Sequence, residues 1–104
     1  MKIAIISDIH GNLEALKATL KDIEKRNVDR IICLGDTIAK GIHPKECLDL
    51  IKENCEIVLQ GNCDAHFSME HEHIDKMPEQ EQKRIKWNQS LINKEDREYL
   101  LKLP

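Results

Sequence analysis

The chain has 104 residues, with 16 Lys plus Arg against 19 Asp plus Glu, a net charge of −3 and 3% aromatic residues. A chain of this length makes one domain with a modest core, burying roughly 60 to 68% of its unfolded surface. The slightly acidic, mixed charge excludes a basic nucleic-acid face. Its aliphatic runs are far short of the roughly 20 residues of a membrane span, and no secretory leader opens it, so a cytoplasmic protein is expected.

The first run, Lys2-Ile3-Ala4-Ile5-Ile6, is a predicted strand. After Asn12, a predicted N-cap, Leu13, Leu16, Leu20 and Ile23 recur at helical spacing, with Lys17, Lys21, Asp22 and Lys25 on the polar side. Arg30-Ile31-Ile32-Cys33-Leu34 is a second strand. Another helix opens at His43-Pro44 with Cys47, Leu48 and Ile51 inward. Glu56-Ile57-Val58-Leu59 is the third strand. From about residue 65 the pattern predicts a polar loop, a helix from near Pro78, and a last helix capped by Asn93 with Asp96 three residues on. Their apolar residues are Ile85, Trp87, Leu91 and Ile92, then Tyr99, Leu100, Leu101 and Leu103. The charged run Lys76 to Arg84 reads as a solvated helix face.

The fold class is therefore α/β, a parallel βαβαβ sheet with helices. Strands added in sequence order through right-handed crossovers put both crossover helices on one face of the sheet. The other face is left for the C-terminal helices, whose few apolar residues would cover it thinly, so self-association or a complementing segment is expected. Within this single domain, residues 1–66 form the strand-and-turn half and residues 67–104 a helical extension.

Each strand ends in an acidic turn: Ser7-Asp8-Ile9-His10-Gly11-Asn12, Leu34-Gly35-Asp36 and Gly61-Asn62-Cys63-Asp64. Parallel strands share one carboxyl edge, where such sheets place ligands, so the turns should converge. Read as extended backbone, Asp8 and His10 leave the same side and can share a metal ion. Asp36 has two oxygens and can bridge to a second ion, and Asn62 offers that ion an amide oxygen. Ions roughly 3.5 to 4 Å apart would clamp a phosphate and activate a shared water. Taken singly, an aspartate after a strand is often only a turn or cap residue. Other phosphate-handling α/β folds use Asp-x-Asp or paired acids here.

Asp-x-His, Gly-Asp and Gly-Asn followed by an acidic residue, in this order, resemble the calcineurin-like metallophosphoesterase superfamily. The stretch Gly35-Asp36-Thr37-Ile38-Ala39-Lys40-Gly41-Ile42-His43-Pro44 and its continuation resemble its bacterial and archaeal branch of small phosphodiesterases and diadenosine-tetraphosphatase-like proteins. The resemblance covers residues 2 to 66 and implies the first half of an αββα sandwich. It implies metal-dependent hydrolysis of phosphomonoesters or phosphodiesters by a hydroxide activated between two metals, with a phosphate ester or nucleotide as partner. Asp8 and His10 would hold the first ion, Asp36 would bridge and Asn62 would hold the second. The ions are divalent transition metals, manganese first, with zinc, iron or nickel as alternatives.

Cys63 stands where the family usually has a histidine that helps the leaving group depart, and Asp64 matches the acidic residue that orients its neighbours. Asp36, Asn62, Cys63 and Asp64 are thus the catalytic candidates. The family's later isolated histidine and Gly-His-x-His element have no match here, which implies a truncated domain: half of an enzyme, or an inactive remnant or assembly subunit. His66, His71 and His73 are read as solvated residues rather than substitute ligands, and His43 as a helix-start residue. Cys33, Cys47 and Cys55 have neither redox-pair nor zinc-ribbon spacing, and are expected to be reduced and structural.

Overall fold

A computed structural model covers residues 1–104 and describes every side chain except that of His71. Strands β1 (Ile3–Ile6), β2 (Arg30–Cys33) and β3 (Ile57–Val58) pair in parallel in the order β1-β2-β3. Ile3 lies opposite Arg30, Ile6 opposite Cys33, and Cys33 opposite Val58. Helix α1 (Leu13–Lys25) starts as expected, with the Asn12 side chain accepting the Ala15 N–H at 3.1 Å. Helix α2 (Pro44–Asn54) starts with its proline.

Leu16 of α1, Cys47 and Ile51 of α2 and Cys33 of β2 form one buried cluster, with Ile6 and Val58 packed against it. Both crossover helices therefore cover the same face of the sheet. The pleat sends the alternate residues to the other face, where Ile5, Ile32 and Ile57 fall in one row across the strands. There Ile3, Ile5 and Ile57 remain 48%, 62% and 42% exposed, so this face is bare in the isolated chain.

The C-terminal segment differs from the expected long loop. Helix α3 (Asn62–His66) begins inside the third turn, because the Asp64 carboxylate folds back to accept the Gly61 N–H at 2.9 Å and fixes the first helical turn. A single turn, α4 (His71–Ile74), precedes α5 (Glu79–Ser90) and α6 (Lys94–Lys102). These helices do not cover the bare face. They build a second core beside α2, in which Phe67, Ile74, Ile85, Ile92 and Leu100 bury Leu48 and Ile38. Trp87 of α5 and Leu101 of α6, two of the apolar residues of these helices, stay 47% and 42% exposed, while α5 turns Ile85 and Asn88 fully inward.

Helix α6 is held by Asp96. This buried carboxylate receives Lys45 and Lys52 of α2, each at 3.3 Å, and closes a capping box with Asn93. The chain end is tied down as well: Gln60 donates its backbone N–H to the Pro104 carbonyl at 2.9 Å and its side-chain amide to the Leu100 carbonyl at 2.8 Å. Among the described residues, no helix is long and apolar enough to cross a membrane. Cys33, Cys47 and Cys55 are free thiols, the first two buried. Burial pushes Cys47 up to about 11 and Cys55 up to about 12, which keeps them protonated and unreactive.

Candidate metal centre

Beyond the strand ends, the first two turns continue to hydrogen-bond to one another. The Asp8 N–H donates to the Gly35 carbonyl at 3.1 Å, His10 to Asp36 at 2.9 Å and Gly11 to Thr37 at 2.8 Å. The Gly41 N–H then closes on the His10 carbonyl at 2.7 Å. The third turn is pressed against the second so closely that a methyl group on Gly61 would overlap the backbone nitrogen and carboxylate of Asp36. Only glycine allows that approach.

Asp8 and His10 do come together, His10 Nε2 lying 3.3 Å from Asp8 Oδ1, but not by strand alternation. Asp8 has φ 58° and His10 φ 49°, so the chain coils through the left-handed region there rather than running extended. Asp36, Ala39 and Lys40 share this strained conformation, with φ of 59°, 75° and 72°. Of the six non-glycine residues with positive φ only Asn27 lies elsewhere, so the strain is concentrated on this rim. Such residues are typical of sites whose geometry the surrounding structure imposes.

His10 is held on both sides of its ring. Its Nδ1 faces the Ile38 carbonyl oxygen at 3.1 Å, and since a carbonyl only accepts, Nδ1 must carry the hydrogen. Nε2, on the other side of the ring, lies 3.3 Å from Asp8 Oδ1, so the two atoms can share a proton or a metal ion. A ring nitrogen fixed by a hydrogen bond on its opposite side is the usual form of a metal-ligating histidine.

The Ser7 hydroxyl donates to Asp8 Oδ2 at 2.8 Å and, with smaller contributions from His10 and Asp36, holds the Asp8 carboxyl below its usual range. Asp36 Oδ1 accepts the Cys63 N–H at 2.9 Å. Asp64 points away from this cluster and is fully buried. Its two oxygens collect the backbone N–H groups of Asp36, Thr37, Ile38 and Gly61 at 2.8 to 3.4 Å, locking the second turn to the third.

Asn62 opens α3 with an exposed side chain, between the glycine that backs onto Asp36 and the cysteine that binds it. Burial pushes the Cys63 thiol up, Asp36 adds to the effect, and Lys40 opposes it. A cleft of about 610 Å³ opens beside Asp8 and His10, walled by Asn12, Lys40, Ile42 and His43.

The other histidines stand apart. His66 is bound to Glu81 at 2.7 Å and lies edge-on to Phe67, His43 is paired with Glu46 at 2.6 Å, and His73 is exposed. The side chain of His71 lies outside the described residues. Among the described residues, the one cluster of His, Cys and acidic donors close enough to hold an ion is His10, Asp36 and Cys63. Ser7, the Ile38 carbonyl and Lys40 are contributors that motif reading passes over. Ser7 directly precedes the motif aspartate, and Lys40 lies inside the Gly35–Gly41 loop whose length the sequence shows.

A family model for calcineurin-like phosphoesterases matches residues 1–102. The chain belongs to the calcineurin-like phosphoesterase family. It is 42% identical over 103 residues to an uncharacterized protein of Methanocaldococcus jannaschii, a match that takes in 98% of this chain and 42% of that one. Its fold is similar to the crystal structure of a metallophosphoesterase from Sphaerobacter thermophilus, with a TM-score of 0.78 and 34% identity over 100% of this chain and 41% of the other. A protein provisionally described as a diadenosine tetraphosphatase superposes with a TM-score of 0.72 and 26% identity, covering 98% of this chain and 42% of its own. The chain thus spans less than half the length of these relatives.

Proposed function

We propose that this chain carries one half of a divalent-metal site for cytoplasmic hydrolysis of phosphomonoesters or phosphodiesters. The observation that carries the proposal is the meeting of His10 and Asp8, with His10 Nδ1 held by the Ile38 carbonyl and its Nε2 3.3 Å from the Asp8 carboxylate. Such a pair fits an ion between them. Asp8 and His10 would hold one ion, Asp36 would bridge and Asn62 would hold a second. Bound ions would offset the charge of a phosphoryl group and lower the pKa of a coordinated water.

The chain's own residues do the positioning. Asp64 holds Asp36 in place through the backbone, and the Cys63 N–H fixes which way one Asp36 oxygen points. Lys40, on the rim of the adjoining cleft, supplies a cation for the phosphate of a small ester or nucleotide, and Ile42 supplies apolar surface for its organic part. The remaining ligands would come from a complementing segment or a second copy seated against the bare sheet face. The rival proposal is an inactive subunit that keeps the fold and one ion, favoured by the small number of donors gathered here.

Turnover of bis(p-nitrophenyl) phosphate with manganese, compared between the parent chain and Asp36→Asn, separates the two. Activity in the parent that vanishes in the variant supports the esterase. No turnover with any divalent ion, with metal still bound, supports the inactive subunit.

A further inference from the structure

The residue that departs from the family's usual motif is also the one the fold brings to the metal donors. A ring nitrogen of His10, a carboxylate oxygen of Asp36 and the Cys63 sulfur all lie within 4.8 Å of one another, and all three residues are half-buried, whereas Asp8 is 65% exposed. Donors around a tetrahedral ion at ~2.0 to 2.3 Å are about 3.5 Å apart. The cluster therefore has to contract by about 1 Å, a shift within reach of side-chain rotation, to close on an ion. The backbone already sets Cys63 in register, because its N–H is bound to Asp36 Oδ1 at 2.9 Å.

The other three cysteines offer no such grouping. Cys33, Cys47 and Cys55 line the apolar layer between the sheet and the two crossover helices, and among the described residues none of them belongs to a group of three donors close enough to hold an ion.

We infer that Cys63 is a thiolate ligand, completing a His10–Asp36–Cys63 set that favours thiophilic divalent ions such as zinc, cobalt or cadmium over manganese or magnesium. On binding, the S–H bond is replaced by an S–metal bond and the proton leaves to water. A thiolate is a soft donor that manganese and magnesium use poorly, so this one side chain sets the class of ion. The inference rests on the metal site proposed above and reverses its order of metals, placing zinc ahead of manganese.

The test is cobalt titration of the full chain, with bound metal measured by equilibrium dialysis and the thiolate-to-cobalt charge-transfer absorption followed in parallel. One charge-transfer band saturating at about one cobalt per chain is expected. Cys63→Ser should lose the band and weaken cobalt and cadmium binding by on the order of 10- to 100-fold, while manganese binding changes little. Circular dichroism establishes that the variant is folded. Stoichiometric cobalt without a charge-transfer band, or a band that survives in Cys63→Ser, overturns the thiolate assignment and leaves the metal site standing. Failure of the parent to bind cobalt, zinc or manganese removes both.

Discussion

The rim formed by the three turns and the helical segment after residue 66 are built on opposite terms. On the rim, non-glycine residues occupy left-handed backbone and the Asp8 and Asp36 carboxylates gather beside the His10 ring. In the helical segment, the equivalent buried acid, Asp96, has two lysine partners and closes an ordinary capping box. Where a protein neutralises its charges internally it is building scaffold. Where it strains the backbone to gather acidic and histidine donors, a cation is expected from outside.

Removing Asp64 attacks the contrast at its root. Asp64→Ala leaves four backbone N–H groups without their acceptor and should lower stability by on the order of 4 kcal/mol, with loss of metal binding. Urea unfolding measures it, and a loss below 1 kcal/mol would show that water replaces the carboxylate. The next effect is the response to metal itself. At a free concentration of 100 times Kd, an ion that binds only the folded chain adds about 2.7 kcal/mol, a rise in melting temperature of roughly 10 °C or more. A melting curve indifferent to zinc, cobalt and manganese contradicts the view of the rim as an incomplete charge set.

Asp96→Ala should lose about 2 kcal/mol, since it removes both a cap and a buried acceptor, yet leave metal affinity unchanged. If metal affinity drops in step with stability, the two regions are not independent. The smallest effect on stability is expected at Asp8. Asp8→Asn should leave the metal-free melting temperature nearly unchanged, because the side chain is 65% exposed and its hydroxyl donor is the neighbouring Ser7, while weakening metal binding. A clear metal-free destabilisation would mean that Asp8 serves the fold rather than an ion.

Much of this architecture is legible in the residues. Three β-branched runs at a spacing that admits one helix between each pair dictate a parallel sheet, and Asn12, Pro44 and Asn93 mark helix starts that the backbone obeys. The bare sheet face also follows, since sequential order and crossover handedness leave no other place for α1 and α2. The end of the chain was harder to read. Whether Trp87 faces in or out depends on how α5 sits against Phe67 and Ile74, a long-range packing that local periodicity does not encode. The candidate site was legible as a set of residues but not as geometry. Asp8 and His10 meet through left-handed turns fixed by hydrogen bonds to the Gly35–Thr37 segment, information held in the neighbouring turn rather than in the motif.

The Asp64 carboxylate has a kinetic consequence. A single side chain accepts amide protons from Asp36, Thr37, Ile38 and Gly61, segments about 25 residues apart along the chain. None of these amides can meet solvent unless that acceptor lets go. All four should therefore exchange with deuterium at one shared rate, as a single opening unit, and much more slowly than the exposed turn residues around them.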